Sequence, residues 1–185
     1  MIMAWILAAC FFLLSAWSIY SYNRLVTMKN DVKNAWSQID VQLKRRYDLI
    51  PNLVAAVRGY LEHEKQVLVN VVAARASALS ATRMKEKASA EDGLTHQLKS
   101  LFAVMEAYPV LKANQNIMLL QEELVSTENR IGFARQLYND LVANYRIMTE
   151  VFPDTIIASL FSFQPPDFFT ADKVERIVPK SRLSS

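Results

Sequence analysis

The sequence is nearly devoid of glycine: three in 185 residues, at positions 59, 93 and 132. They lie too far apart for a phosphate-cradling loop, and no Gly-x-Ser-x-Gly elbow occurs. With Ala, Leu, Lys, Glu, Gln, Arg and Met abundant, this composition predicts an all-α fold. Cysteine occurs once, at Cys10, so no intramolecular disulfide can form and no cysteine pair marks a zinc site. The two histidines, His63 and His96, belong to no Glu-x-x-His or His-Glu-x-x-His motif, so neither a di-iron nor a zinc centre has its signature. No cofactor is expected. A net charge of +3 without a recognisable binding motif gives no nucleic-acid reader either.

What the chain has in excess is apolar surface, 52% of its residues. Much of it lies in residues 1–20, "MIMAWILAACFFLLSAWSIY", which carry no charged side chain. About 20 such residues, as a helix, cross the ~30 Å hydrocarbon core of a bilayer. Trp17, Tyr20 and Tyr22 fall where an aromatic belt sits. The expectation is an uncleaved transmembrane anchor over residues 1–22, with the lipid bilayer as its partner. The run is too long for a cleaved signal. "LAAC" (7–10) also fits a lipobox with Cys10 as the lipidated residue, but a further apolar stretch follows it. Arg24, Lys29 and Lys33 flank the run on its C-terminal side only, which places the following domain in the cytoplasm, at a bacterial inner membrane if the source is bacterial.

Beyond the anchor the apolar period is helical. Val32, Trp36, Ile39 and Leu43 form one stripe, resumed at Ile50, Val54, Val57 and Leu61. Pro51 interrupts it. Proline is costly inside a helix and comfortable in a first turn, so the pattern predicts one helix over 24–47 and a second from a cap at Asp48 to about Lys87. A kinked continuous helix is the alternative. "SAED" (89–92) reads as a capping box for a third helix that stops before Pro109. A fourth runs from near Lys112 towards Pro153, with Asp154 capping a short addition. Residues 165–185 form a tail whose "PPDFF" can tuck onto the domain. Four amphipathic segments over residues 23–164 predict an antiparallel four-helix bundle on an N-terminal transmembrane helix.

Two polar features stand out. Lys44, Arg45 and Arg46 crown the end of the expected first helix, where cations favour the helix dipole. They make a candidate surface for an acidic protein partner at the membrane-distal tip. Residues 24–46 carry six cations against two acids, and residues 75–87 four against one. A second helix folding back would bring the latter group near the headgroups. Thr127 and Glu128 occupy the stripe of the fourth helix where an apolar residue is missing, a candidate buried polar layer; Glu123, Glu128 and Arg130 are further members of such a network. "HEK" (63–65) is the one place for a general base. A hydrolase would need His63 beside Glu122, Glu123 or Glu128; a solvated helix turn is the simpler reading.

Residues 22–65, "YNRLVTMKNDVKNAWSQIDVQLKRRYDLIPNLVAAVRGYLEHEK", closely resemble the LemA family of bacterial membrane-anchored proteins. So do residues 108–146, "YPVLKANQNIMLLQEELVSTENRIGFARQLYNDLVANYR", and the closing "FP" and "IIASLFSF". Tyr47 departs from the histidine usual there. The resemblance implies an anchor with an antiparallel four-helix bundle and no catalytic residues. It also implies a magnetosome-associated branch, the MamQ proteins, and relatives whose lipobox replaces the span. The functional expectation is a non-enzymatic, membrane-anchored interaction or scaffold module. Self-association in membrane organisation, or an unrecognised hydrolase, are the alternatives.

Overall fold

A computed structural model describes residues 1–170, and no strand occurs among them. The helices are α1 (Ile2–Val57), α2 (Lys65–Ser80), α3 (Met84–Met105), α4 (Pro109–Ala113), α5 (Gln115–Glu150) and α6 (Asp154–Leu160). A 3-10 turn at Glu62–Glu64 precedes α2.

α1 is 56 residues long, about 84 Å at 1.5 Å per residue. Its N-terminal part contains an 18-residue window of mean hydropathy 2.1, none of it buried within the molecule, and is long and apolar enough to cross a membrane. From Leu25 the same helix turns one stripe inward: Leu25, Val32, Ala35, Ile39, Leu43, Arg46, Ile50, Leu53 and Val57, mostly three or four residues apart. The expected start of a second helix at Asp48 does not form. α1 runs straight on through Pro51. A proline at position 51 has no N–H for the carbonyl of Tyr47, four residues back. Arg75 of α2 supplies the missing donor: its Nε donates to the Tyr47 carbonyl oxygen at 2.8 Å.

The turn after α2 also differs from expectation. It falls at residues 81–83, not near Lys87, and "SAED" lies inside α3. Asp92, the acid expected to cap, pairs instead with Arg135 of α5 at 2.8 Å, and Glu91 beside it is buried against α1, where it meets a guanidinium and a phenol. α5 begins at Gln115 rather than near Lys112. Asn114 is its cap, the side-chain oxygen accepting from the N–H groups of Asn116 and Ile117 at 3.1 and 3.3 Å. Asp154 sits in the first turn of α6 without capping it.

α1 packs most extensively on α5, and α2 on α3. α1 and α5 run in opposite directions. Trp36 meets Tyr138 edge-on at 5.6 Å, Arg45 pairs with Glu123 further along, and Ser21 reaches Asp154 beyond the end of α5. α3 lies beside α1 from Asp40, which Lys87 approaches at 3.6 Å. Lys87 also sits over Trp36, so this basic group is some 16 residues, about 24 Å, beyond Arg24 and does not approach headgroups there. Nearer the N-terminal run, the chain after α6 packs in place of α2 and α3. Phe169 is 1% exposed and stacks edge-on Trp36 at 5.5 Å. Asn139 Oδ1 accepts from the Phe169 N–H at 2.8 Å. Packed residues thus continue past position 164. The expected tail beyond residue 170 lies outside the described residues.

Candidate functional site

In the last quarter of α1, Arg46 is 1% exposed. Burying a guanidinium requires partners, and Arg46 has them at both Nη atoms, while its buried Nε has none. Arg46 Nη2 donates to Glu91 on α3. Nη1 donates to Glu128 on α5 and, at 3.0 Å, to the Thr95 hydroxyl. Thr95 in turn donates to Glu128 at 2.9 Å. Tyr47 donates its phenolic proton to the other oxygen of Glu91. One cation therefore sits between two carboxylates, and three helices are tied at one level. Burial pulls the Arg46 pKa below its ordinary value and Glu128 pushes it back. Burial pushes the Tyr47 hydroxyl above its ordinary value, against the field of Arg46. A guanidinium keeps its proton in either case. The cluster therefore binds elements together.

The sequence-predicted residues divide around this cluster. Of the three cations expected to form a partner surface, Lys44 and Arg45 are exposed, Arg45 approaching Glu123 at 3.5 Å. Arg46 is not presented to a partner. Nor does the triplet end a helix, since α1 continues for 11 residues beyond it. The helical period explains the split: position 46 lies on the inward stripe between Leu43 and Ile50, and positions 44 and 45 do not. Thr127 is 1% exposed, but its hydroxyl donates to its own helix, at the Glu123 carbonyl 2.7 Å away. Glu128 is 34% exposed and reaches Arg46. Arg130 is exposed and outside the cluster. Sequence reasoning missed Glu91 and Thr95. The available signal was the stripe of α3, in which Glu91 precedes Leu94, Leu98 and Leu101 at helical spacing.

His63 stands exposed in the 3-10 turn. It does not line the groove that holds Glu122, so the constellation a hydrolase would need is not assembled there. No group of three potential metal ligands occurs among the described residues.

A second feature lies on the outer face of α1 and α5. Val41 from α1, with Arg130, Phe133 and Leu137 from α5, lines an open groove. Phe133 is 74% exposed and Val41 62%. Lys44 and Arg45 lie within a turn of Val41 along α1.

The model of the LemA family matches residues 35–182. The chain belongs to the LemA family. Among curated relatives, Magnetosome protein MamQ 2 of Paramagnetospirillum magneticum is 25% identical over 174 residues, covering 80% of this chain and 64% of the relative. Magnetosome protein MamQ of Magnetospirillum gryphiswaldense is 24% identical over 174 residues, with the same coverage. Protein LemA of Metamycoplasma hominis is 24% identical over 159 residues, covering 84% of this chain and 71% of the relative. This LemA-family chain thus spans slightly less than two thirds of the length of the MamQ relatives.

Proposed function

We propose that the protein is a non-enzymatic, membrane-anchored interaction module. Residues 1–22 cross the bilayer once. Residues 23–164 form an antiparallel four-helix bundle of α1, α2, α3 and α5, held in the cytoplasm. One observation carries this reading: the unburied apolar run and the inward stripe belong to a single unbroken helix. A helix that leaves the membrane without a joint holds a surface at a fixed height and orientation, which suits display better than diffusive capture. The flank charges Arg24, Lys29 and Lys33 support the cytoplasmic side.

The displayed surface is the groove of Val41, Phe133 and Leu137, with Lys44, Arg45 and Arg130 around it. Exposed aromatic and aliphatic side chains rimmed by cations fit a protein partner that offers an apolar anchor and an acidic flank. A photo-cross-linking residue at Phe133 in the full-length membrane protein tests this. A discrete heterologous adduct, weakened by Arg45→Glu, is the expected result; no adduct overturns it. An adduct of twice the chain's mass would favour self-association instead. Orientation is tested separately with reporters fused at Ser185, one active only in the cytoplasm and one only outside it. Activity of the external reporter would reverse the assignment and return Cys10 to consideration as a lipidated residue.

A further inference from the structure

The segment 151–163, "VFPDTIIASLFSF", closes the end of the domain nearest the apolar run and carries one charged residue, Asp154. That carboxylate is occupied. Ser21 Oγ donates to Oδ1 at 2.6 Å and Arg24 approaches Oδ2 at 3.5 Å. Ile157 and Ala158 seat α6 on the core, while the opposite side faces outward. There Phe152 is 75% exposed, Ile156 50%, Leu160 72% and Phe161 54%. A cluster of large apolar side chains without a free charge marks a contact surface.

Its position identifies what covers it. Ser21 and Tyr22 belong to the last turn of the uncharged N-terminal run, and Arg24 carries the first charged side chain of the chain. Phe161 stacks edge-on Tyr22 with centroids 4.8 Å apart. Trp17, a turn nearer the N-terminus, is also partly buried against the core. The α6 segment therefore lies at the depth where the apolar run ends. Cations border it on the distal side: Arg24, Lys29 over the Phe163 ring at 6.0 Å, and Arg146 over Phe168 at 4.9 Å. Among the described residues, Glu150 and, beside Phe168, Asp167 are exposed acids near this end.

We propose that α6 and its flanks form an interfacial collar. Phe152, Ile156, Leu160 and Phe161 lie in the headgroup–acyl boundary of the same bilayer that α1 crosses, with the bordering cations facing anionic headgroups. The inference rests on the reading that α1 spans the membrane. It gives the domain a second attachment at an angle to the first. Two contacts of this kind fix rotation about the α1 axis, which one transmembrane helix alone leaves free.

The test uses the full-length chain in nanodiscs of phosphatidylcholine and phosphatidylglycerol. In a Cys10→Ser background, single cysteines at Leu13, Leu160, Ile156 and Phe133 carry an environment-sensitive fluorophore. Nitroxide lipids quench from either near the headgroup or near the chain end. The expected result is loss of most fluorescence at Leu160 and Ile156 with the shallow nitroxide, at Leu13 with the deep one, and at Phe133 with neither. Circular dichroism equal to the parent's establishes that each variant folds. Quenching at Leu13 without quenching at Leu160 and Ile156 overturns the collar and leaves the span intact. Absence of quenching at Leu13 removes the span and the collar with it. Unquenched Leu160 that cross-links to Leu160 of another copy would make the face a self-association surface and likewise overturn the inference.

Discussion

Arg46 and Glu91 are each 1% exposed in their side chains and depend on one another. Arg46→Ala leaves Glu91 buried without its counter-charge, a loss of about 3–5 kcal/mol. Replacing both partners, Arg46→Met with Glu91→Leu, is expected to restore most of that stability, because the desolvation of two ions disappears with them. Urea denaturation of the detergent-solubilised chain measures both, and a double variant no better than Arg46→Ala would refute the pairing. Glu128→Gln should cost less than Arg46→Ala, since water already reaches that carboxylate. Tyr47 adds a pH dependence. Its folded-state pKa is raised above the ordinary 10.0, so the folded chain holds this proton to higher pH than the unfolded one. The associated stability is complete below about pH 10 and is lost as pH rises through the folded-state value. Tyr138 and Tyr145 are raised by burial in the same direction. Tyr47→Phe should therefore remove one share of the alkaline loss of stability, while weakening the fold at neutral pH by the lost bond to Glu91. At this scale the sequence was half legible. A run of three cations resembles a solvated patch, and only the helical phase separates its inward member from the other two.

The passage of α1 through Pro51 is a property of two elements together. The Tyr47 carbonyl loses its helical donor and gains Arg75. Arg75→Ala is expected to cost about 1–3 kcal/mol, the range for a polar group left unsatisfied. Pro51→Ala restores the N–H and should make Arg75→Ala nearly neutral. A thermodynamic cycle on the two positions measures the coupling, and additive effects would sever the link. Helix content and the inward stripes were readable from periodicity, because burial repeats with the helical turn. The break expected at Pro51 does not occur; the donor that replaces its N–H, Arg75, lies 28 residues from Tyr47, beyond any local signal. The same holds for "SAED", whose expected capping acid, Asp92, pairs with Arg135 of α5 in place of a helix terminus.

For the whole molecule, the two halves of the domain close differently. The distal half is covered by α2 and α3, the proximal half by α6 and the chain that follows it. Trp36, Tyr138 and Phe169 join in edge-on contacts, with Arg135 over the Phe169 ring at 4.6 Å. Phe169→Ala should cost about 3–5 kcal/mol. Ending the chain after residue 164 should cost at least as much, read as a lower thermal midpoint of the membrane-embedded protein. An unchanged midpoint would reduce this segment to an ornament. The tucking of "PPDFF" onto the domain was legible from its phenylalanines, but nothing in its own spacing names Trp36 and Asn139 as its seat. The absence of a joint in α1 has a mechanical corollary. From the end of the apolar run to Val57 the helix extends about 52 Å. A thinner bilayer tilts a spanning helix of fixed hydrophobic length, and about 10° of added tilt would swing the distal end sideways by roughly 9 Å. With residues 1–22 spanning the bilayer as proposed, the tip would move with the thickness of the lipid at the base.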